Sequence, residues 1–209
     1  MHIPDGFLDA KTIVTTAAIS TAVIAYSVKK SKSLSEKQVP FLGVMAAFVF
    51  AAQMINFPII GGTSGHLIGG TLSAIIFGPH VASIIITTVL MVQAIFFQDG
   101  GITALGANIL NMAVISCFVG YYIYLYLSKF KTTEKIAVFA ASWISVFLSA
   151  VAASFELAFS NTIPLKIVLP AMSFWHAFIG IGEAIITVAV VSFINSLEIK
   201  NAFMLQKEE

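Results

Sequence analysis

Arginine is absent from this 209-residue chain, and only 10% of its residues are charged. A soluble domain carries about 25%, so an ordinary water-facing surface cannot be built from this sequence. With 58% hydrophobic residues and a mean hydropathy of +0.96, its expected solvent is the bilayer. The net charge of +1 gives no case for nucleic-acid binding. A single cysteine, Cys117, lies in an apolar run, so no disulfide can form within the chain and the thiol reads as a small buried hydrophobe. No G-x-x-x-x-G-K-[ST] run is present, which excludes ATP hydrolysis by a P-loop, and no H-E-x-x-H helix is present either. Basic residues do not precede the first apolar stretch as a secretory signal requires: Asp5 and Asp9 come first, and Lys11 is the only base. The mature protein is therefore expected to begin at Met1, with bulky His2 hindering removal of the initiator residue.

What is present is a series of seven apolar segments, at about 12–28, 40–57, 66–79, 80–97, 103–127, 136–159 and 169–195. A helical span takes about 17–25 residues. Six segments reach that length; the third needs residues from Gly61 onward. Lysine placement favours counting it. With seven spans and the amino terminus outside, Lys29, Lys30, Lys32, Lys37, Lys129, Lys131, Lys135, Lys200 and Lys207 all fall on the cytoplasmic side. Only Lys11 and Lys166 fall outside. The expected fold is an all-α membrane protein forming one transmembrane domain over 1–209, with an amino-terminal loop at 1–11 and a cytoplasmic carboxyl terminus. Gly78-Pro79 and Asp99-Gly100-Gly101 mark tight turns, and Pro164 and Pro170 bracket the last outer loop.

The same map puts Met1-His2 and the run Gly61-Gly62-Thr63-Ser64-Gly65-His66 on one side. A terminal amine, the His2 amide nitrogen and the His2 imidazole can reach one ion, and His66 can add a fourth nitrogen. Four nitrogens in a plane suit Ni(II) or Cu(II) better than tetrahedral Zn(II). Taken singly, His66 reads as an interfacial cap and His2 as a frayed end; the pairing on one face is what points to metal. His80, beside Pro79 at the other side, reads as structural. In the last segment His176, Gly180 and Glu183 share one helical face. A carboxyl as deep as Glu183 marks either function or interhelical hydrogen bonding. Glu156 in the sixth segment carries the same two readings. Gln53, Asn56, Ser64, Asp99 and Asn108 are further groups that can steady a tucked terminal loop or orient a ligand imidazole. Ala47 and Ala51, Ala18 and Ala22, and Gly180 and Ala184 form small-residue faces, with packing inside the bundle as their default role.

Met1-His2-Ile3-Pro4-Asp5-Gly6-Phe7-Leu8 resembles the amino terminus of the CbiM/NikM family, the cobalt and nickel substrate-binding (S) components of energy-coupling factor transporters. The resemblance extends through 46–58, through Gly61-Gly62-Thr63-Ser64-Gly65-His66-Leu67-Ile68-Gly69-Gly70, through 98–108 and through 176–183. It implies a metal held by the Met1 amine, the His2 amide and imidazole, and His66. It implies an extra amino-terminal helix on a six-helix core. It implies a transmembrane coupling (T) protein and ATPase subunits as partners in the cell inner membrane, with a small accessory membrane subunit as a further candidate. By analogy Ala47 and Ala51 would meet the coupling protein. Many cobalt members carry Met at the fourth position, so Pro4 tilts the transported ion toward Ni(II), with Co(II) a close second. No other cofactor is expected. A stand-alone divalent-metal channel or secondary permease is the alternative reading, and an intramembrane metalloenzyme ranks last because a filled plane leaves no open coordination position.

Overall fold

The computed structural model describes residues 1–31, 34, 36–59, 63–130 and 133–196. Lys32, Lys131, Lys200 and Lys207 of the charge map, and Gly61-Gly62 of the histidine motif, lie outside these residues. Seven helices are described: α1 (Ala10–Lys30), α2 (Val39–Met54), α3 (Gly70–Phe77), α4 (Pro79–Phe97), α5 (Leu105–Leu127), α6 (Glu134–Phe159) and α7 (Leu165–Ser196). Five of them, all except α2 and α3, are long and apolar enough to cross a bilayer.

The polarity of α1 fits a membrane rather than water. Its buried residues are Thr16, Ser20 and Ser27, while Val14 and Ile19 face outward. Lipid rewards that arrangement, because hydroxyls need partners and apolar side chains do not. Ser20 Oγ donates to the Gly106 carbonyl at 2.7 Å, tying α1 to the start of α5. Asp9 caps α1 by accepting from Thr12 N at 2.9 Å. The helix is peripheral, packed mainly on α4 and α5, whereas α6 and α7 form the most extensively packed pair. Two small-residue faces lie outside: Ala18 and Ala22 on α1, against their default place inside the bundle, and Ala47 and Ala51 on α2, where a contact with another subunit stays open. Met45, Val49 and Gln53 occupy the inward face of α2 instead.

Three segment boundaries differ from the hydropathy pattern. The second helix ends at Met54, because Phe57–Pro58 (β1) turns extended and pairs antiparallel with Ser64–Gly65 (β2). The third segment is helical only over Gly70–Phe77, about 12 Å of rise. The stretch 64–69 ahead of it is non-helical, and His66, Ile68 and Gly69 are buried in protein, the condition under which such backbone is tolerated at membrane depth. Extended chain there adds at most about 20 Å, which makes a crossing of ordinary thickness by loop plus short helix geometrically feasible. The last helix begins at Leu165, so Pro170 lies inside it rather than in the preceding loop. Its missing N–H forfeits one bond to the Lys166 carbonyl in the first turns, where Pro164 already starts the helix by accepting from Ile167 N and Val168 N.

Candidate metal site

Residues 1–3 are among the most buried of the chain: Met1 and Ile3 have no exposed surface and His2 has 5%. Burying each apolar side chain is worth roughly 1.5–3 kcal/mol, but fixed hydrogen bonds set the register. Asn108 grips Ile3 on both sides, accepting from its N–H at 2.8 Å and donating to its carbonyl at 3.1 Å. Gly101 N donates to the same carbonyl at 2.9 Å. The Asp5 carboxylate accepts from Ile102 N and Thr103 N and from the Thr103 hydroxyl, which holds its carboxyl below the usual range. Further on, Thr162 Oγ1 donates to the Phe7 carbonyl. The 100–103 turn thus forms the floor on which the terminal segment lies. A Cβ at Gly101 would stand 2.6 Å from the Pro4 carbonyl carbon.

This docking aims the nitrogens. The Met1 amine and the His2 amide N–H both donate to Ser64 Oγ, at 3.0 and 3.1 Å, so they turn to one side. Burial pushes the amine's pKa well below its ordinary 8.0 and that of His2 down to about 3, which favours the neutral form of both. The His2 ring stacks on His66 with centroids 4.5 Å apart and planes 22° from parallel. Gln93 Oε1 lies 3.2 Å from His2 Nε2, which assigns the proton to Nε2 and the lone pair to Nδ1. Nδ1 has no hydrogen-bond partner and sits 3.3 Å from Asp99 Oδ1. A neutral ring presents no proton there, so lone pair faces carboxylate, an arrangement a cation would relieve. Desolvation raises the Asp99 carboxyl. His66 donates from Nδ1 to the Leu67 carbonyl at 2.7 Å, leaving Nε2 buried and unpartnered. Metal-binding histidines are commonly locked in this way.

Two other expected residues fix the His66 loop. Glu183 accepts from Ile68 N at 2.7 Å and Gly69 N at 2.9 Å, one oxygen each, and Gln53 donates to the Ile68 carbonyl at 2.7 Å. Asn56 is exposed and donates to Asp99 Oδ2 at 3.1 Å. Glu156 is not brought to the ligands; it accepts from Asn111 at 2.6 Å between α6 and α5. His176 is fully buried on α7 beside the His66 loop. His80 stands apart at the start of α4 against Ser27, Tyr26 and Phe118. Among the described residues no cluster of three or more His, Cys, Asp or Glu side chains could hold a metal; a site built partly from main-chain nitrogens would not form one. Sequence reasoning missed Gln93. It lies in a wide, i→i+5 turn at the end of α4 (Gln93–Phe97), and a lone amide in an apolar run was its only signal.

Comparison with known proteins gives a consistent result. Residues 2–200 match the family model described as the cobalt uptake substrate-specific transmembrane region, CbiM. A protein of Archaeoglobus fulgidus named for fused nickel transport is 44% identical over 196 residues, which cover 93% of this chain and 65% of the relative. A protein of Methanocaldococcus jannaschii named for metal transport is 40% identical, covering 94% of this chain and 92% of the relative. A crystal structure titled as a truncated transition metal transporter superposes with a TM-score of 0.90 at 38% identity, covering 93% of this chain and 98% of that one.

Proposed function

The chain belongs to the cobalt uptake substrate-specific transmembrane family, and from that membership we propose that it is the metal-capturing subunit of an ATP-driven importer of the energy-coupling factor type. Its cargo is Ni(II), with Co(II) the close competitor, and the ligands are the Met1 amine, the His2 amide nitrogen and Nδ1, and His66 Nε2. The observation that carries this reading is the convergence of the first two nitrogens on Ser64 Oγ, beside two imidazoles whose lone pairs lack partners. Amine and amide close a five-membered chelate ring, and amide and Nδ1 a six-membered one. Ser64 Oγ holds the two N–H groups to one side; the ion then takes the lone pair of the neutral amine and replaces the proton of the His2 amide alone. An ionised amide leaves the Ni(II) complex at net +1, which the Asp99 carboxylate offsets. Planar nitrogen donors favour Ni(II) over Zn(II), while raw affinity favours Cu(II), so access and supply must exclude copper.

Capture occurs at the outer face, with the amino terminus outside and the carboxyl terminus cytoplasmic, as the lysine map favours. Release needs the terminal segment to withdraw, since it provides three of the four nitrogens. A transmembrane coupling protein and ATPase subunits drive that step, the chain having no P-loop of its own. The peripheral position of α1 supports a division into one added helix and a six-helix core, and the exposed Ala47–Ala51 face of α2 is the candidate contact for the coupling protein.

The test is nickel titration calorimetry on protein with a native terminus against protein extended by three residues before Met1. A one-residue extension would be misleading, because it makes His2 the third residue and builds a different four-nitrogen chelate. The extension should cost at least about a thousandfold in affinity, ~4 kcal/mol, while circular dichroism shows the helices still folded. Equal affinity in the two proteins would eliminate the amine as a ligand.

A further inference from the structure

Residues 63–69 run alongside one face of α7. Thr63 Oγ1 contacts Met172 Sδ at 3.8 Å, a Cβ at Gly65 would stand 2.8 Å from Ile179 Cδ1, and Ile68 and Gly69 donate to Glu183. His176 lies on that face between Met172 and Ile179, which puts it opposite 64–66. It is fully buried. Its Nδ1 donates to the Met172 carbonyl at 2.9 Å, one turn back in the same helix, and its Nε2 has no partner. His66 is arranged identically, with Nδ1 on a carbonyl and Nε2 free. Two buried imidazoles locked in the same tautomer, with both lone pairs unpartnered, are built as ligands are built. The planar site uses only one of them.

We propose that His176 is an additional metal ligand, its Nε2 and that of His66 forming a two-imidazole site that takes the divalent ion as the amino-terminal chelate lets go. This rests on the capture site proposed above. Imidazole pairs suit Ni(II), Co(II) and Cu(II) alike. No third His, Cys, Asp or Glu stands ready among the described residues, so water completes the coordination. The ion is held more weakly there than in the plane, as a station that must pass it on requires.

The test removes the plane and looks for what is left. In protein extended by three residues and carrying His2→Ala, the imidazoles remaining are His66, His176 and the distant His80. Nickel calorimetry should find one saturable site, at least about 100-fold weaker than in the native protein. Pulsed electron paramagnetic resonance with Cu(II) as probe should count two imidazoles, and one after His176→Phe. Because the side-chain hydrogen bond of His176 among the described residues is to Met172 in its own helix, His176→Phe should leave the melting temperature unchanged or raised; His176→Gln serves as a second variant if Phe disturbs folding. No saturable site in the extended His2→Ala protein, or an imidazole count untouched by both His176 variants, overturns the role of His176 while leaving the capture site standing. Failure of the native-terminus protein to bind nickel refutes the capture site itself.

Discussion

At the start of α4, His80 is partly buried, its Nδ1 lies 3.1 Å from Ser27 Oγ, and Tyr26 and Phe118 meet its ring edge-on. At the far end of the same helix, about 20 Å away along its axis, Gln93 holds one of three fully packed histidines. His2, His66 and His176 each keep one buried ring nitrogen without a partner. Each end holds an imidazole, His80 among Tyr26, Phe118 and Ser27, His2 among Gln93, Asp99 and His66. What differs is whether the lone pair is already satisfied. A half-wet ring bonded to a hydroxyl is held as a strut; a dry ring with its N–H fixed on a carbonyl or amide is left with one strong donor electron pair.

His66→Ala against His80→Ala gives the largest separation. The first should weaken nickel binding by more than about 100-fold, ~3 kcal/mol, and the second should leave it within about twofold. Comparable losses at both positions, measured by calorimetry, would dissolve the distinction between the two ends.

The two buried carboxyls extend the contrast. Glu183→Gln sets an amide nitrogen against one of two backbone N–H donors and should destabilise the protein by about 1–3 kcal/mol. Glu156→Gln should change stability by less than about 0.5 kcal/mol, because Glu156 Oε1 and Asn111 Oδ1 both lack partners and the new N–H can serve Asn111. Thermal unfolding in detergent reads both, and equal losses would refute the difference.

Glycine offers a milder comparison. Gly101→Ala drives a methyl into Pro4 and Asp5 and should lower nickel affinity about tenfold. Gly78→Ala meets no atom within 4 Å but holds φ +79°, so it should cost about 1–2 kcal/mol of stability with affinity unchanged. Binding assays that rank the two the other way would show that the terminal segment does not need the 100–103 floor.

The gentlest probe is pH. Burial favours the neutral form of the amine and of His2, so the His2 amide proton is the principal one released on binding. Affinity should fall about tenfold per unit of acidification between pH 8 and 6; a slope near two protons would mean that the amine is solvated. The sign for docking is the same. These bases have folded values below their ordinary ones, so the docked terminus is most stable above pH 8 and loosens as pH falls through 8.0 and then 6.5.

Much of this was legible in the sequence for physical reasons. Helical spans announce themselves because lipid demands long apolar runs, and Met1-His2 with His66 stands out because ligating nitrogens are rare in such runs. The short α3 was hidden, because a buried non-helical loop and a buried helix have the same apolar composition. Pro170 was read as a loop marker, yet the first turns of a helix tolerate it. The Ala18–Ala22 face lies outward against its default place inside the bundle: small residues permit close contact without saying with what. Gln93 and the grip of Glu183 on Ile68 and Gly69 depend on the register of a wide turn and the path of a loop, which hydropathy does not encode.

The central claim is four nitrogens in a plane around the transported ion. Magnetic measurement on Ni(II)-loaded protein with a native terminus tests it most directly. The account predicts diamagnetic Ni(II), with acetylation of the Met1 amine abolishing the loaded state. Paramagnetic, five- or six-coordinate nickel in the native protein would contradict it.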